Sequence, residues 1–502
     1  MSFEKNLTEI EYSPVLGRYL VASEAVSESD VLIEEYPFAY GPKLSSPVVC
    51  LGCFVPVNCN LDGFRCPKCG WPLCQDCIIS DGAEVHQKEC EVFKSANAKF
   101  YVIKDDEYRK RNECVQLDCV MPLRVLLNKE IDPERWEREV APMEYHDQSR
   151  RQMTEVWNAD LVNIAQYLRG PCKLDRFSED LIMRVVGILE VNAFEGRTSH
   201  GHTIRCLYPK TGILAHNCVP NTARSIYPSD RFRIRLRAMK DLKAGQQLHH
   251  SYTFTLNGTA ARQEHIRNGK FFTCRCARCS DPTELGTYFS SFKCISCDLG
   301  FLSSIDPFDS TADWRCNHCR FTTPAEGILK NISTMQAEVA DVQAMDMSPE
   351  RLQECEALLR KYRMILHPSH YIQTSLKQSL IEMYGRVHGY EMVELPDILL
   401  ERKEELCRQV LGVLNVFEPG LSRARAMLLY ELHVPLVLLA KSGFIAKVLS
   451  LSNLKERIQE AVSILEESVS ILKYEDPSSQ EGLLGRVASK ALESLKLSIE
   501  AM

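Results

Sequence analysis

The chain has 502 residues, 22 cysteines and a formal net charge of −7. This length exceeds what one hydrophobic core organises, so we expect roughly three or four folding units. The negative charge disfavours direct binding to nucleic acid. No apolar run approaches the roughly 20 residues that span a bilayer, and the N-terminus lacks the apolar segment of a signal peptide, so we expect no membrane association. We therefore expect the cytoplasm, the nucleus or both, where cysteines favour metals over disulfides.

β-strand patterns occupy residues 14–40 and 201–255, where short apolar segments are broken by Gly, Pro and Asn. Residues 93–190 between them have apolar residues at three- and four-residue steps, which predicts helices. We therefore expect one β domain assembled from separated segments. Within it, Arg231–Arg237 alternates strictly and predicts a strand with four arginines on one face. That face fits either an acidic ligand or solvent.

Closely spaced pairs of zinc ligands fill residues 50–90. Each pair places two soft ligands at a spacing that a tight turn directs at one tetrahedral ion. Eight ligands predict two zinc ions, and the four pairs combine in three ways that spacing does not distinguish. The pairs are Cys50-x2-Cys53, Cys66-x2-Cys69, Cys74-x2-Cys77 and His86-x3-Cys90.

Two further cysteine clusters follow the second β segment. Cys274, Cys276 and Cys279 supply three ligands and need a fourth from elsewhere in the chain. The second cluster has the complete spacing of a zinc ribbon, with His318 as a bystander; its ligands are Cys294, Cys297, Cys316 and Cys319. We interpret Cys59 as a bystander and the other unassigned cysteines as small buried hydrophobes; these are Cys114, Cys119, Cys172, Cys206, Cys355 and Cys407.

From about residue 325 onward the apolar pattern is entirely helical, with short turns that contain Pro or Gly. The spacing predicts long helices over Pro349–Ile365, Tyr371–Val387, Arg402–Phe417, Arg423–Lys441 and Leu454–Lys473. These helices fit antiparallel pairs stacked in a tetratricopeptide-like array, which would offer a concave surface to partners. A plain helical bundle fits the same pattern.

Two motifs resemble the signatures of SET-domain lysine methyltransferases. They are Ala215-His216-Asn217-Cys218-Val219-Pro220-Asn221 and Gly245-Gln246-Gln247-Leu248-His249-His250-Ser251-Tyr252. Residues 274–279 resemble the post-SET cysteine cluster, and residues 50–90 resemble a MYND zinc finger. Residues 16–20 are similar to the cofactor turn, and residues 366–370 to an element of the helical tail. In this order the motifs resemble the Smyd family of SET and MYND domain proteins, and the added ribbon resembles an arthropod-type Smyd.

The resemblance implies a multidomain α+β chain. A split, β-rich SET domain would contain the MYND finger, and a post-SET zinc site, an extra zinc ribbon and an all-α, tetratricopeptide-like domain would follow. The implied boundaries are 1–49 for the N-terminal part of the SET domain, 50–90 for the MYND finger, 91–190 for a helical insert, 191–255 for the core SET region, 256–285 for the post-SET region, 286–324 for the ribbon and 325–502 for the helical domain.

The same resemblance implies how the zinc ligands group. In a MYND finger the pairs interleave, so Cys50, Cys53, Cys74 and Cys77 would hold one ion. The second ion would then be held by Cys66, Cys69, His86 and Cys90. Cys218 would be the missing fourth ligand of the post-SET cluster. With the ribbon, four zinc ions are expected.

The activity implied by the resemblance is transfer of a methyl group from S-adenosylmethionine to a lysine of a histone or non-histone protein. Tyr252 would be catalytic, placing its hydroxyl at the point of transfer. Phe194 and Lys270 would line the substrate channel. The residues expected to hold the cofactor are Gly17, Arg18, Asn192, His216, Asn217, Tyr252 and Phe272.

Several positions depart from the family pattern where it touches cofactor and substrate. Ala215 replaces an asparagine, and Lys270 stands where relatives place an aromatic channel wall. The other replacements are Leu16 for lysine, Tyr19 for glycine, and Gln246 and Gln247 for glutamates. A second hypothesis is therefore a weak or inactive SET protein that acts as an adaptor, with proline-rich peptides bound at the MYND finger. In either case we expect a monomer that engages a protein or peptide.

Overall fold

The computed structural model describes residues 6–58, 64–80, 84–101 and 113–501, so Cys59 lies outside the described residues. We number strands, and α-helices of four residues or more, in chain order. The strands are β1 Thr8–Ser13, β2 Gly17–Ala22, β3 Val31–Glu35, β4 Ala39–Pro42, β5 Phe194–Arg197, β6 Thr203–Leu207, β7 Ala215–His216, β8 Thr222–Tyr227, β9 Arg233–Ala238, β10 His249–His250, β11 Phe292–Lys293, β12 Phe301–Ser304, β13 Trp314–Cys316 and β14 Thr322–Thr323. The helices are α1 Gln75–Ile79, α2 Gln87–Ala96, α3 Val120–Ile131, α4 Asp147–Gln152, α5 Thr154–Asp160, α6 Glu179–Asn192, α7 Thr259–Lys270, α8 Ala277–Ser280, α9 Ala325–Gln343, α10 Pro349–Tyr362, α11 Tyr371–Met383, α12 Asp397–Phe417, α13 Arg423–Ile445, α14 Leu451–Leu472 and α15 Gln480–Glu500.

The β domain is built from strands on both sides of the cysteine-rich and helical insert. One three-stranded sheet has the order β3-β9-β8 and another has the order β4-β6-β5. Val31 in the first segment pairs with Arg237 in the second, and Ala39 pairs with Leu207. A hairpin of β1 and β2 adjoins these sheets. The expected split β-rich domain is therefore confirmed.

The helical insert supplies the largest part of the core next to the cysteine-rich region. Every residue of α3 from Val120 to Leu127 is buried, because this helix packs against α2, β4 and α6. Trp71 stacks on Phe93 with ring centroids 3.7 Å apart, which joins the cysteine-rich loops to α2. Aromatic packing of this kind joins the finger to the helical insert.

The arginine-rich strand is shorter than predicted. Arg231 and Phe232 have φ values of 48° and 58°, so they form a turn and β9 begins at Arg233. Arg233 and Arg235 both pair with Glu34 on the neighbouring strand β3. Part of the arginine face is thus neutralised inside the sheet, which argues against a bare basic surface for an acidic ligand.

The C-terminal region is all-α, as predicted, with consecutive helices α9 to α15 packed on one another. Among the described residues one helix, α13, is long and apolar enough to cross a membrane by length and composition. Half of its apolar window is buried, and the helix packs between α12 and α14 around Pro435. A core helix of a globular domain has the same properties, so this finding is weak support for a membrane span.

Polar contacts fix the helical domain against the sheet β3-β9-β8. Tyr227 donates its hydroxyl hydrogen to the Tyr474 carbonyl at 2.6 Å. Arg423 donates to the Arg224 carbonyl at 2.9 Å. At the turn before α13, the Leu421 N–H donates to the Met239 carbonyl at 3.0 Å. The helical domain is therefore held against this sheet of the β domain.

Candidate active site and metal centres

Four groups of zinc-ligand side chains come together within the described residues. In each group the ligand atoms lie within 4.8 Å of one another. The groups are Cys50, Cys53, Cys74 and Cys77; Cys66, Cys69, His86 and Cys90; Cys218, Cys274, Cys276 and Cys279; and Cys294, Cys297, Cys316 and Cys319. The MYND-like pairs interleave, and Cys218, which follows β7, joins the three-cysteine cluster from a distant part of the chain. The four groups fit four zinc ions.

The sulfur separations support tetrahedral zinc. A Zn–S distance of about 2.3 Å places two ligand sulfurs of a tetrahedron about 3.8 Å apart. The sulfurs of Cys53 and Cys74 are 3.6 Å apart, those of Cys218 and Cys279 are 3.5 Å apart, and the Cys294–Cys319 distance in the ribbon is 3.6 Å. Cysteine is the soft ligand that structural zinc prefers.

A buried ion pair orients the one histidine ligand. His86 directs Nε2 to Cys69 Sγ at 3.3 Å and Nδ1 to the Glu89 carboxylate at 3.2 Å. Glu89 also accepts from Arg124, whose remaining donors bond to the Tyr40 carbonyl of β4 and to the Leu51 carbonyl. Such a carboxylate behind a metal-bound histidine fixes its tautomer and ring orientation. The chain of contacts ties this zinc site to α3.

The post-SET cluster is connected to the helical domain through two buried arginines. Arg262 donates to Cys218 Sγ at 3.3 Å and to Cys279 Sγ at 3.6 Å, which balances the negative charge of a four-thiolate zinc site. Arg262 and Arg278 both pair with Glu284. The Arg278 guanidinium lies 3.3 Å from the ring centroid of Phe417 on α12. The cluster is thus contacted directly by Arg262 and is connected through Glu284 and Arg278 to the helical domain.

A short parallel pairing brings the two SET-like motifs together. β7 pairs with β10, with Ala215 opposite His249 and His216 opposite His250. The backbone N–H of Tyr252 donates to Nδ1 of His216 at 3.0 Å. Since a backbone N–H only donates, the hydrogen of the neutral ring resides on Nε2, which lies 3.3 Å from Cys218 Sγ. Burial lowers the pKa of His216 to about 4, so the ring is neutral.

Tyr252 is held at both ends. Its hydroxyl donates to the Leu214 carbonyl, and its ring lies 5.1 Å from the His216 ring. Burial raises the pKa of Tyr252 to about 12, so the phenol keeps its hydrogen at neutral pH. Nζ of Lys270 lies 5.6 Å from the centroid of the Tyr252 ring. The sequence-predicted catalytic tyrosine therefore lies beside the predicted channel lysine.

Two expected cofactor residues meet on a segment that the sequence did not single out. Arg18 donates to the Pro142 carbonyl at 2.9 Å, and the Asn192 side-chain amide donates to the Glu144 carbonyl at 2.7 Å. His146, which follows, lies 5.2 Å from the Phe271 ring. We call residues 142–146 the insert loop. No motif marks it, because its role comes from its position between the β1–β2 hairpin and α6.

The remaining expected site residues take different positions. Gly17 has a φ of +67° in the β1–β2 turn, and an added Cβ there would meet no atom within 4 Å. The Phe272 ring lies 6.1 Å from that of His216, and Asn217 uses its side-chain oxygen to accept from the Val219 N–H. Phe194 packs against Tyr208, His250 and Arg224, so the described contacts do not join it to Lys270.

The departures at the cofactor turn are accommodated locally. Tyr19 donates its hydroxyl hydrogen to Glu11, its partner across the β1–β2 hairpin, at 2.7 Å. The Tyr19 side chain is therefore held along the hairpin by this contact. Leu16 is exposed, and the Gln246 side chain accepts from the Lys243 N–H in the turn before β10. Ala215 presents only a methyl group.

Comparison with known proteins returned no matching family model. The SET domain-containing protein SmydA-8, isoform A, of Drosophila melanogaster is 30% identical over 326 residues, which cover 63% of this chain and 65% of that protein. The N-lysine methyltransferase SMYD2 of Homo sapiens is 23% identical over 252 residues, which cover 49% of this chain and 50% of that protein. Both relatives are SET-domain or methyltransferase proteins of the Smyd type, and the chain is similar to them over half to two thirds of its length. The Drosophila match agrees with the arthropod-type resemblance.

The chain spans about two thirds or less of the length of these relatives. Among solved structures, the SET domain of LSMT bound to lysine and AdoHcy aligns over 99% of this chain and 89% of that chain. The TM-score is 0.26 at 11% identity, a likeness too weak to carry an argument. The relation to the family therefore depends on the sequence matches and on the zinc clusters.

Proposed function

We propose that this protein is an S-adenosylmethionine-dependent protein-lysine N-methyltransferase of the Smyd type, with a histone or non-histone substrate. The observation that carries the proposal is the pairing of β7 with β10, which joins Leu214, His216 and Tyr252 in one hydrogen-bonded unit. Relatives named N-lysine methyltransferases support it. A tyrosine fixed at its backbone and at its hydroxyl suits a reaction that depends on positioning.

The residues present fit a cofactor that is held largely by backbone groups. Both ring nitrogens of His216 are engaged within the protein, which leaves its backbone for a ligand. Asn192 directs its amide nitrogen to the Glu144 and Ile188 carbonyls, which leaves the side-chain oxygen as an acceptor. Gly17 leaves open space at the turn where Arg18 is anchored. S-adenosylmethionine would supply a methyl group on a sulfonium.

Tyr252 would orient the substrate amine. The Tyr252 hydroxyl donates its hydrogen to the Leu214 carbonyl, so the lone pairs of the phenol oxygen point away from that carbonyl. These lone pairs would accept a hydrogen bond from the substrate amine. A lysine amine is protonated near pH 7, and only the neutral amine is a nucleophile. Partial burial around Tyr252 disfavours the charged form and so favours loss of that proton.

A second candidate function, the adaptor, is favoured by two observations at the same site. Ala215 offers no polar side chain to a cofactor, and the Lys270 ammonium lies at the Tyr252 ring where a substrate cation would be received. In that function the MYND finger would recruit proline-rich peptides and the helical domain would bind protein partners. Binding of S-adenosylmethionine separates the two functions, because an adaptor does not need it.

Isothermal titration calorimetry with S-adenosylmethionine tests the proposal. Each hydrogen bond to the cofactor that is lost through a departure from the family pattern weakens binding by about 0.5–1.5 kcal/mol. Two such losses lower the affinity for S-adenosylmethionine about ten- to a hundredfold. We expect detectable but weak binding by the natural protein and tighter binding by Ala215→Asn. If neither protein binds at millimolar cofactor, the adaptor function replaces the enzyme.

Methyl transfer from isotopically labelled S-adenosylmethionine to histones and to a lysine peptide library provides the second measurement. Tyr252→Phe removes only the hydroxyl, so cofactor affinity should stay near that of the natural protein while transfer falls on the order of a hundredfold. Thermal unfolding of the variant controls for the unpaired Leu214 carbonyl. Equal transfer by Tyr252→Phe and the natural protein would remove the catalytic role of Tyr252.

A further inference from the structure

Lys270 ends helix α7, and its side chain reaches back into the site. The next residue, Phe271, has a φ of +61°, so the chain turns sharply after the lysine. The Lys270 ammonium donates to the Val191 carbonyl and lies 3.4 Å from the Glu190 carbonyl oxygen. It also lies over the Tyr252 ring at 5.6 Å. The side chain is half-buried, so its end is enclosed by these groups.

The groups around the Lys270 ammonium are those that bind a cation. Glu190 and Val191 belong to the last turn of α6, where helix carbonyls have no partner in the helix and the helix dipole is negative. The face of the Tyr252 ring also attracts cations. A substrate lysine that approached Tyr252 would need the same carbonyl oxygens and the same ring. Lys270 therefore occupies a place suited to the ammonium of another lysine.

The charged groups around Lys270 do not supply a free negative charge that would compensate a second cation. The Glu190 carboxylate pairs with Arg205 at 2.6 Å, so a guanidinium already neutralises it. His146 lies on the insert loop, and burial lowers its pKa, so it adds neither a negative charge nor a full positive one at neutral pH. Two ammonium groups in this half-buried space would repel each other. Either Lys270 or the incoming lysine is bound there.

We propose that Lys270 is an internal pseudosubstrate, whose ammonium occupies the lysine-binding mouth beside Tyr252 and controls which cations enter it. The inference deepens the proposed methyltransferase function and rests on it for the identity of the entering group. Entry of a substrate lysine requires the flexible Lys270 side chain to rotate away from the Val191 carbonyl. Lys270 then determines specificity without taking part in methyl transfer.

A purely structural role would be to cap the end of α6. The chain offers a matched control, because Lys377 in the helical domain is buried and also donates to a backbone carbonyl, that of Pro368, at 2.5 Å. Burial lowers the pKa of Lys270 and that of Lys377 to about 8 in both cases. Loss of a carbonyl-bound lysine with a lowered pKa is therefore common to variants of both positions, but only Lys270 lies at Tyr252.

The test uses n-butylammonium as a mimic of the lysine side chain. Binding is followed in the full-length, zinc-loaded protein by NMR of ring-labelled tyrosine, with the Tyr252 signal assigned from Tyr252→Phe. We expect Lys270→Met to bind the probe at least tenfold more tightly than the natural protein. Lys270→Gln, which keeps a donor for the Val191 carbonyl, should behave similarly. Lys270→Arg and Lys377→Met should show no gain.

The inference is overturned if neither neutral variant of Lys270 gains affinity, or if Lys377→Met gains as much. Methylation of Lys270 itself, seen by mass spectrometry after incubation with S-adenosylmethionine, would also overturn it, because a pseudosubstrate does not react. Methyl transfer to external lysines is measured on the same samples. Gain of probe binding without any transfer supports the inference while removing the proposed function. Methyl transfer without a gain in probe binding supports the proposed function and overturns the inference.

Discussion

The second MYND-like zinc site should depend on a side chain that does not bind the metal. Glu89 is fully buried, and one of its oxygens accepts from His86 and from Arg124. Its other oxygen has no hydrogen-bond partner among the described residues. In Glu89→Gln the amide oxygen replaces the accepting oxygen and the NH2 group replaces the unpartnered one. The variant therefore keeps the shape and one acceptor while removing the charge.

Two effects of Glu89→Gln follow from this geometry. Arg124 is left as a buried charge without a counter-ion, and breaking such a pair typically costs about 3–5 kcal/mol. The hydrogen bond that orients His86 loses its charged acceptor, and loss of such a partner lowers metal affinity about 10- to 100-fold. Of the four expected zinc ions, only the one held by His86 should be affected, because the other three sites contain no histidine ligand.

Competition with a chromophoric zinc chelator measures this effect. Glu89→Gln should release one zinc ion per chain at about 10- to 100-fold lower chelator concentration than the natural protein. The control is Glu91→Gln on the same helix, since Glu91 is exposed and its replacement should change stability by no more than about 0.5 kcal/mol. If Glu89→Gln releases zinc at the natural chelator concentration, Glu89 does not support the site.

The remaining predictions concern the other zinc sites and the pH dependence of the mouth. Cys297→Ser should remove one zinc ion by elemental analysis and leave S-adenosylmethionine binding unchanged, whereas Cys218→Ser should remove one ion and weaken that binding, because Cys218 contacts His216, which holds Tyr252. If the two variants change S-adenosylmethionine binding equally, the post-SET zinc does not support the cofactor site. Because burial lowers the Lys270 pKa to about 8, its ammonium is present at pH 7 and lost above pH 8, so the natural protein should bind n-butylammonium more tightly at pH 9 than at pH 7. Lys270→Met should show no such rise, since the facing groups Glu190, Arg205, His146 and Tyr252 remain in the variant; a rise of the same size in both proteins would contradict the role of the lysine.

Ligand spacing alone was enough to predict the zinc-binding regions. Pairs such as Cys294 with Cys297 are short-range features, because two residues between ligands already direct both sulfurs to one point. The pairing of the finger and the membership of Cys218 are long-range features that spacing does not determine. Cys218 reaches its cluster only because the strand before it, β7, is paired with β10. The family resemblance, rather than local chemistry, supplied those groupings.

The insert loop and the direction of Lys270 could not be predicted from the sequence. Pro142 and Glu144 contribute backbone carbonyls, which any residue carries, so no side-chain motif indicates them. Helix boundaries were predicted to within a few residues where a cap is present, as at Arg423, which follows the capping Ser422. They were less accurate at Tyr371–Met383, where the apolar pattern continues past the last helical residue to Val387.

The site joins three parts of the chain through contacts that are individually short. Cys218 links the post-SET zinc ligands to His216, and His216 links them to Tyr252. On the other side Arg262 bonds to Cys218 and shares Glu284 with Arg278, which packs on the helical domain. The post-SET zinc ligand Cys218 is therefore separated from Tyr252 by one side chain, His216, whereas the helical domain is connected to Tyr252 through a chain of five side chains that begins at Arg278. The departures from the family pattern, such as Ala215 and Leu16, leave this connected framework intact, so we expect that the folded scaffold and the proposed activity can be lost separately.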